Sequence, residues 1–146
     1  GNFLETLQAD LAVEQRYLDK LAIYRNYYVE LRTLGILTSP TINGVVVNAS
    51  SDARGAAGTI LNELNAEIDR VQTTVDQIEF LIERYDGATN SEINSMMTSY
   101  QSIYKYTDIE KEGQFDGWVR QGARSGVTSP EEVYADEIAA LEASGN

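Results

Sequence analysis

Few side chains in this 146-residue sequence could carry out chemistry, and the best group of them is a short acidic segment. Its carboxylates alternate along the chain and a glycine occupies the sixth position: Asp108, Glu110, Glu112, Gly113 and Asp116. This pattern is typical of a loop that wraps a calcium ion in oxygen ligands. The twelfth position, where such a loop requires a bidentate Glu, is Val119. A solvated acidic turn is therefore the simpler prediction.

Other catalytic arrangements lack a necessary residue type. The sequence contains no histidine and no cysteine, which removes the commonest proton-transfer group near neutral pH, thiolate nucleophiles and most transition-metal sites. Asp76, Glu79 and Glu83 lie within helical reach of one another, but the di-iron motif that uses paired carboxylates also needs histidine. We therefore expect a non-enzymatic protein without catalytic residues, metal ligands or a cofactor.

The charge balance restricts the partners. The chain has 23 acidic and 11 basic residues, a formal net charge of −12, and its basic residues are scattered. Such a surface repels phosphates, so no direct binding of nucleic acid is expected. No apolar run approaches the roughly 18 residues that a membrane span needs, so no span is expected either.

The longest regular pattern in the chain is an apolar seam in its middle. Nine apolar residues follow one another at alternating steps of four and three: Ala57, Leu61, Leu64, Ile68, Val71, Val75, Ile78, Ile82 and Tyr85. Spacing of 3.5 residues keeps one stripe of a helix against a partner along its whole length. The pattern predicts a helix over residues 53–85. Whether its partner lies in the same chain or in another copy is left open.

A second long helix is predicted over residues 3–34. Its leucine stripe is interrupted at Glu14, and after Leu21 it continues through Tyr24 and Tyr28 one position early, which indicates a stammer. Both long helices would measure roughly 45 to 50 Å at 1.5 Å per residue. Their matched lengths predict an antiparallel, coiled-coil-like hairpin with residues 35–51 as its tip loop.

The rest of the chain predicts two shorter helices within a single all-α domain covering residues 1–146. A capping box of Thr89 and Glu92 starts a helix over residues 90–105. Four glycines then indicate a glycine-rich connector over residues 107–127, with at most a short helical turn. Ser129 and Pro130 suit the start of a last helix over residues 130–143.

The tip loop is the most suggestive segment for function. Residues 33–51 contain no charge, although 23% of the chain is charged. Asn43 and Gly44, placed between β-branched residues, favour a two-residue hairpin turn. An uncharged valine run left in water invites aggregation, so we expect the tip to contact another subunit; the alternative is that it folds back over its own bundle end. The candidate interface residues are Ile36, Leu37, Ile42, Val45, Val46 and Val47.

Aromatic residues form a second candidate interface. Tyrosine and tryptophan combine large apolar area with a polar tip and are enriched in interfaces. Four of them stand out as anchors: Tyr17, Tyr27, Phe115 and Trp118. The alternative is that they belong to the core of the chain itself.

These features favour a structural or assembly protein that acts in multiple copies, as a homo-oligomer among other protein subunits of a larger complex. Our first hypothesis is a phage virion component, namely a tail, neck or head accessory protein, with the virion as its location; otherwise the protein would be soluble. One alternative is an acidic inhibitor that mimics nucleic acid and blocks a DNA-binding enzyme. Another is a secreted helical-hairpin protein that meets a membrane through its tip.

Overall fold

The computed structural model describes residues 2–38 and 46–144, and for residues 36–38 and 46–47 it describes the backbone only. The fold is mostly helical, which confirms the all-α prediction. The described elements, in order, are α1 (Phe3–Leu34), β1 (Ile36–Thr38), β2 (Val46–Asn48), α2 (Ser51–Tyr85), α3 (Asn90–Tyr100), α4 (Asp108–Ala123), α5 (Pro130–Val133) and α6 (Ala135–Ala143).

The two long helices α1 and α2 contain 32 and 35 residues and have well-formed ends. The side chains of Asn2 and Ser50 accept hydrogen bonds from backbone N–H groups in the first turns of α1 and α2, which satisfies donors that have no partner within the helix. Gly35 ends α1 in the left-handed conformation, at φ 67°, where a residue with a Cβ would be strained.

Contacts between α1 and α2 run in opposite order along the two helices. Near the tip, Arg54 Nη2 donates a hydrogen bond to the carbonyl of Arg32 (3.3 Å). Farther from the tip, Tyr17 Oη donates to Glu67 Oε2 (2.7 Å). At the far end, Leu7 packs in a cluster with Ile78 and Leu81 of α2 and with Tyr100 of α3. The pair forms the frame on which α3, α4 and α6 pack.

The buried face of α2 is rotated from the predicted seam. Prediction and structure share Ala57, Leu64, Val71, Val75 and Ile78. In place of the predicted Leu61, Ile68 and Ile82, the structure buries the residue that precedes each of them. The buried residues are Ala53, Ala57, Ile60, Leu64, Glu67, Val71, Thr74, Val75, Ile78 and Leu81. A search for apolar residues passes over Glu67 and Thr74, and so it selects the neighbouring stripe, whose members Leu61, Ile68 and Ile82 are only partly buried.

The buried face of α1 shows the same effect and corrects the predicted stammer. Its buried positions include Leu7, Glu14, Tyr17, Leu21, Tyr24, Tyr28 and Leu31, which continue the alternation of three and four from Glu14 to the end of the helix. Glu14 lies within the stripe, with 2% of its surface exposed. The apparent three-residue step arose because Leu18, which is only partly buried, was chosen in place of Tyr17.

The rotation of the seam predicts a difference between two isoleucines. Ile60→Ala should lower the free energy of unfolding by about 2–5 kcal/mol, because Ile60 is fully buried and its truncation leaves a cavity. Ile68→Ala should cost less than half as much, since Ile68 lies at the margin of the core. Urea unfolding of the two variants measures this, and equal losses would contradict the rotated face.

The predicted glycine-rich connector is instead the 16-residue helix α4. Its start is a capping box in which Thr107 and Glu110 satisfy each other's backbone N–H groups. Its buried face follows helical spacing, with Lys111, Phe115, Trp118 and Gly122. This face packs on α1 and α2 in the main core cluster. Tertiary packing therefore outweighs the low helix propensity of glycine.

The glycines of α4 are tolerated because of where they lie. Gly113 and Gly117 are exposed, and a Cβ at either position would meet nothing within 4 Å. Gly122 faces the core, where an added Cβ would lie 3.2 Å from the Cβ of Val127. Gly122 thus permits the chain after α4 to fold back tightly on the helix.

The two remaining helices are shorter than predicted. Helix α3 ends at Tyr100, after which turn-type hydrogen bonds carry the chain to Ile103, which packs on the smaller core cluster. The predicted helix over residues 130–143 is interrupted at Tyr134, whose backbone angles (φ −115°, ψ 36°) are not helical. The ring of Tyr134 packs edge-on against Tyr27, with 6.2 Å between ring centroids. The break allows α5 and α6 to follow the surface of α1.

Candidate functional site

The tip of the α1–α2 pair contains a two-stranded antiparallel ribbon. Ile36 pairs with Asn48, Leu37 with Val47 and Thr38 with Val46. At the base of the ribbon, the Ala49 N–H donates to the carbonyl of Gly35 (2.8 Å), and Ala49 packs against the main core cluster. The ribbon is therefore joined directly to the ends of both long helices.

The structure describes only part of the predicted tip interface. Backbone geometry is described for Ile36, Leu37, Val46 and Val47, which all lie in the ribbon. Ile42, Val45 and the predicted turn at residues 43–44 lie outside the described residues. Leu34, the last residue of α1, is 64% exposed at the base of the ribbon. It adds an apolar side chain to the uncharged end of the molecule, and the sequence analysis did not single it out.

The four predicted aromatic anchors lie inside the chain's own core. Tyr17, Tyr27, Phe115 and Trp118 are all buried in the main cluster. The Phe115 ring lies 5.7 Å from both the Tyr17 and the Trp118 rings, edge to face. The contact between Tyr17 and Phe115 attaches α4 to α1. In this fold the four rings therefore stabilise the chain rather than face a partner.

Two buried carboxylates were missed by the sequence analysis, and one of them is Glu67. It accepts hydrogen bonds from Tyr17 Oη (2.7 Å) and Gln114 Nε2 (3.2 Å) and pairs with Arg70. Arg70 in turn stacks over the ring of Tyr106 at 4.1 Å. Burial and the hydrogen bond to Glu67 raise the pKa of Tyr17 well above its ordinary value. The group joins α1, α2 and α4 through polar contacts.

The other buried carboxylate is Glu14. Its Oε1 lies 3.6 Å from Lys111 Nζ, and both side chains are largely withdrawn from solvent. Lys111 Nζ also lies 5.0 Å from the centre of the Tyr17 ring, as in a cation–π contact. The only sign of this site in the sequence is the spacing of Glu14, seven residues from Leu7 and from Leu21 on the buried stripe.

The acidic segment with a calcium-loop pattern lies in α4, so helical geometry distributes its carboxylates around the helix. Glu110 accepts hydrogen bonds from the backbone N–H of Thr107 (2.9 Å) and from Tyr104 Oη (2.7 Å), which lower the pKa of Glu110. Among residues 2–38 and 46–144, no group of three or more carboxylates converges where a metal ion could be held.

A groove lies between α2 and the chain that follows α3, toward the end of α2 that is remote from the tip. We call it the distal groove. Its volume is about 810 Å³, and its walls include Asp76, Phe80 and Leu81 on one side and Ile103 and Tyr104 on the other. Phe80 and Tyr104 are 54% and 60% exposed. One large aromatic ring on each wall of the groove is thus more than half exposed.

Comparisons with known proteins identify no relative, so any functional assignment of the chain rests on the physical features described above. No protein-family model, curated protein or solved structure matches the chain. Within the described ranges, no helix is both long and apolar enough to cross a membrane.

Proposed function

We propose that this chain is a non-enzymatic assembly protein that acts in several copies within a larger complex. In this proposal α1 and α2 form a coiled-coil-like helical hairpin, and the hairpin presents its uncharged tip to another subunit. The observation that carries the proposal is the contrast between residues 33–51, which have no charge, and a chain whose net charge is −12. That contrast makes the tip the part of the surface that can approach another copy with the least electrostatic repulsion.

The ribbon supports a contact role for the tip. In the described part of the chain, each of its strands pairs with one neighbour only. A two-stranded ribbon is marginally stable in water and leaves backbone N–H and C=O groups unpaired at its edges. Pairing with a strand of another subunit would satisfy these groups, and Leu34 at the base of the ribbon supplies exposed apolar area next to them.

The interior supports a structural role for the chain. Glu14 of α1 pairs with Lys111 of α4. Glu67 of α2 accepts hydrogen bonds from Tyr17 of α1 and Gln114 of α4, so the two buried carboxylates link α1 and α2 to α4. These groups therefore rigidify the frame. Within the class of assembly proteins, we propose a phage virion component, such as a tail, neck or head accessory protein, because such proteins act in many copies and require no catalytic residue.

The tip is tested with a single charge placed at either of two adjacent positions of β2. The two variants are Val46→Asp and Val47→Asp. At least one variant should lower the molar mass of the assembly measured by light scattering, while circular dichroism shows unchanged helix content. Asn94→Asp, on the exposed surface of α3, is the control with the same charge change.

Four results would contradict the proposal. A wild-type protein that stays monomeric at high concentration, or assembly that is insensitive to both tip substitutions, would remove the tip as a contact surface. Salt-sensitive binding to a basic, DNA-binding enzyme would favour the nucleic-acid mimic instead. Tip-dependent flotation with liposomes would favour the secreted hairpin.

A further inference from the structure

Three carboxylates, which we call the acidic rim, follow the face of α2 that borders the distal groove; one of them, Asp76, accepts a hydrogen bond from Gln72 Nε2 (2.9 Å). Asp69, Asp76 and Glu83 lie seven residues apart on α2, which places them on one face of the helix at intervals of about 10.5 Å. All three carboxylates are exposed. Asp76 lines the groove together with Arg70, whose charge is paired with that of Glu67. None of the three carboxylates forms an ion pair within the described part of the chain.

A matching basic row lies toward the tip of the same molecule. Arg25 and Arg32 are exposed and also lie seven residues apart, on one face of α1. Arg25 Nε donates to Asn65 Oδ1 (2.9 Å), and Arg32 Nε lies 3.1 Å from the position that a Cβ on Gly58 would occupy. Both side chains thus lie along the edge of α1 that adjoins α2. Neither arginine forms an ion pair among the residues described.

The net charge of the α1–α2 pair changes along its length. Near the tip, residues 22–34 and 51–66 contain three basic and three acidic residues. At the remote end, residues 3–13 and 75–92 contain one basic and seven acidic residues. If two copies lay side by side without an offset, their acidic remote ends would face each other. If one copy were shifted along the other, the tip end, whose charges balance, would face the acidic remote end of its neighbour.

We infer that the distal groove is the docking site for the tip half of a second copy of this chain. Arg25 and Arg32 of the second copy lie along the acidic rim at the spacing of the carboxylates, and its exposed Leu34 contacts the rings of Phe80 and Tyr104. The contact joins two different surfaces, so each copy retains one free groove and one free tip half. Repetition of such a contact builds a ring or a filament. This inference rests on the proposed assembly function and adds its partner surface.

The test reverses the charges of the basic row and, separately, those of the acidic rim. One variant carries Arg25→Glu and Arg32→Glu, and the other carries Asp76→Arg and Glu83→Arg. In either variant alone, the two surfaces that should meet carry charges of the same sign. Each variant should therefore associate at least about tenfold more weakly than wild type in low salt. An equimolar mixture should recover assembly, because each variant then supplies the row that the other lacks. Light scattering of the separate and mixed samples measures both effects.

The control is a variant with Asp19→Arg and Asp136→Arg, which changes the net charge as much as the groove variant does but at exposed sites outside the groove. It should assemble as wild type does. The inference is overturned if both row variants assemble normally, or if mixing them restores nothing. When Val46→Asp or Val47→Asp disrupts assembly but the row variants do not, the groove assignment alone has failed. A monomeric wild type removes the proposed function itself.

Discussion

Lys111→Met is expected to lower the free energy of unfolding by about 3–5 kcal/mol. Lys111 Nζ lies 3.6 Å from Glu14 Oε1, and no other ion pair of Glu14 occurs within the described residues. Because Glu14 is 2% exposed, removal of the ammonium group leaves a buried carboxylate without its counter-charge. Methionine fills a similar volume, so the loss reports the unpaired charge rather than a cavity. Urea denaturation followed by circular dichroism measures the difference.

Replacement of both partners should recover most of that loss. In a chain with Glu14→Leu and Lys111→Met, two apolar side chains occupy the site and no charge is desolvated, which is often neutral or stabilising. Lys105→Met is the control, because Lys105 pairs at 3.7 Å with Asp10 and both side chains remain partly exposed, so its loss should stay within about 1 kcal/mol. A stable Lys111→Met protein, or a double variant as unstable as the single one, would contradict a buried ion pair.

The two long helices could be predicted because their information is local. Apolar residues at spacings of three and four, together with the caps at Gly35 and Ser129, give element boundaries that the structure reproduces within a few residues at most ends. The exceptions come from tertiary contacts. Tyr134 leaves the helical conformation where its ring packs on Tyr27, and the two residues are more than a hundred positions apart in sequence.

The rotation of the buried faces could not be predicted from the apolar pattern. Glu14 and Glu67 lie on those faces because partners compensate for their burial. Lys111 of α4 pairs with Glu14, while Glu67 binds Tyr17 of α1, Arg70 of α2 and Gln114 of α4. The contacts of Lys111 and Gln114 help to fix α4, a helix that its glycines disfavour. Sequence reasoning counts a buried Glu as an interruption, whereas long-range pairing makes it part of the core.

The tip and the distal groove also differ in how far the sequence alone could predict them. The absence of charge in residues 33–51 is visible in the sequence, so the tip could be proposed without a structure. The distal groove depends on where α3 ends, since Ile103 and Tyr104 form its second wall only after the chain leaves the helix at Tyr100. The spacing of Asp69, Asp76 and Glu83 therefore could not be connected with a groove before the position of Ile103 and Tyr104 was known.

Alkaline unfolding should be steep, because four tyrosines are buried in one core. Burial is the largest cause that raises the pKa values of Tyr17, Tyr24, Tyr27 and Tyr28. Their phenols stay protonated in the folded chain but ionise near pH 10 when it unfolds. The protonated phenols contribute their full stabilisation of the folded state well below pH 10. This contribution to the free energy of unfolding is lost as the pH rises above 10, and the loss approaches about 1.4 kcal/mol per tyrosine for each pH unit.

Each phenol of the unfolded chain is half ionised at pH 10, so the four tyrosines together should remove about 4 kcal/mol between pH 10 and 11, which is a large part of the whole stability of many domains. We therefore expect unfolding before pH 12, with tyrosinate absorbance and loss of helical circular dichroism appearing in one transition. Tyr28→Phe removes one ionising group whose ring is fully buried, so it should reduce the slope by about a quarter. Gradual ionisation of all four phenols without loss of helix would show that solvent reaches them in the folded chain, which is the opposite of what their packing between α1, α2 and α4 implies.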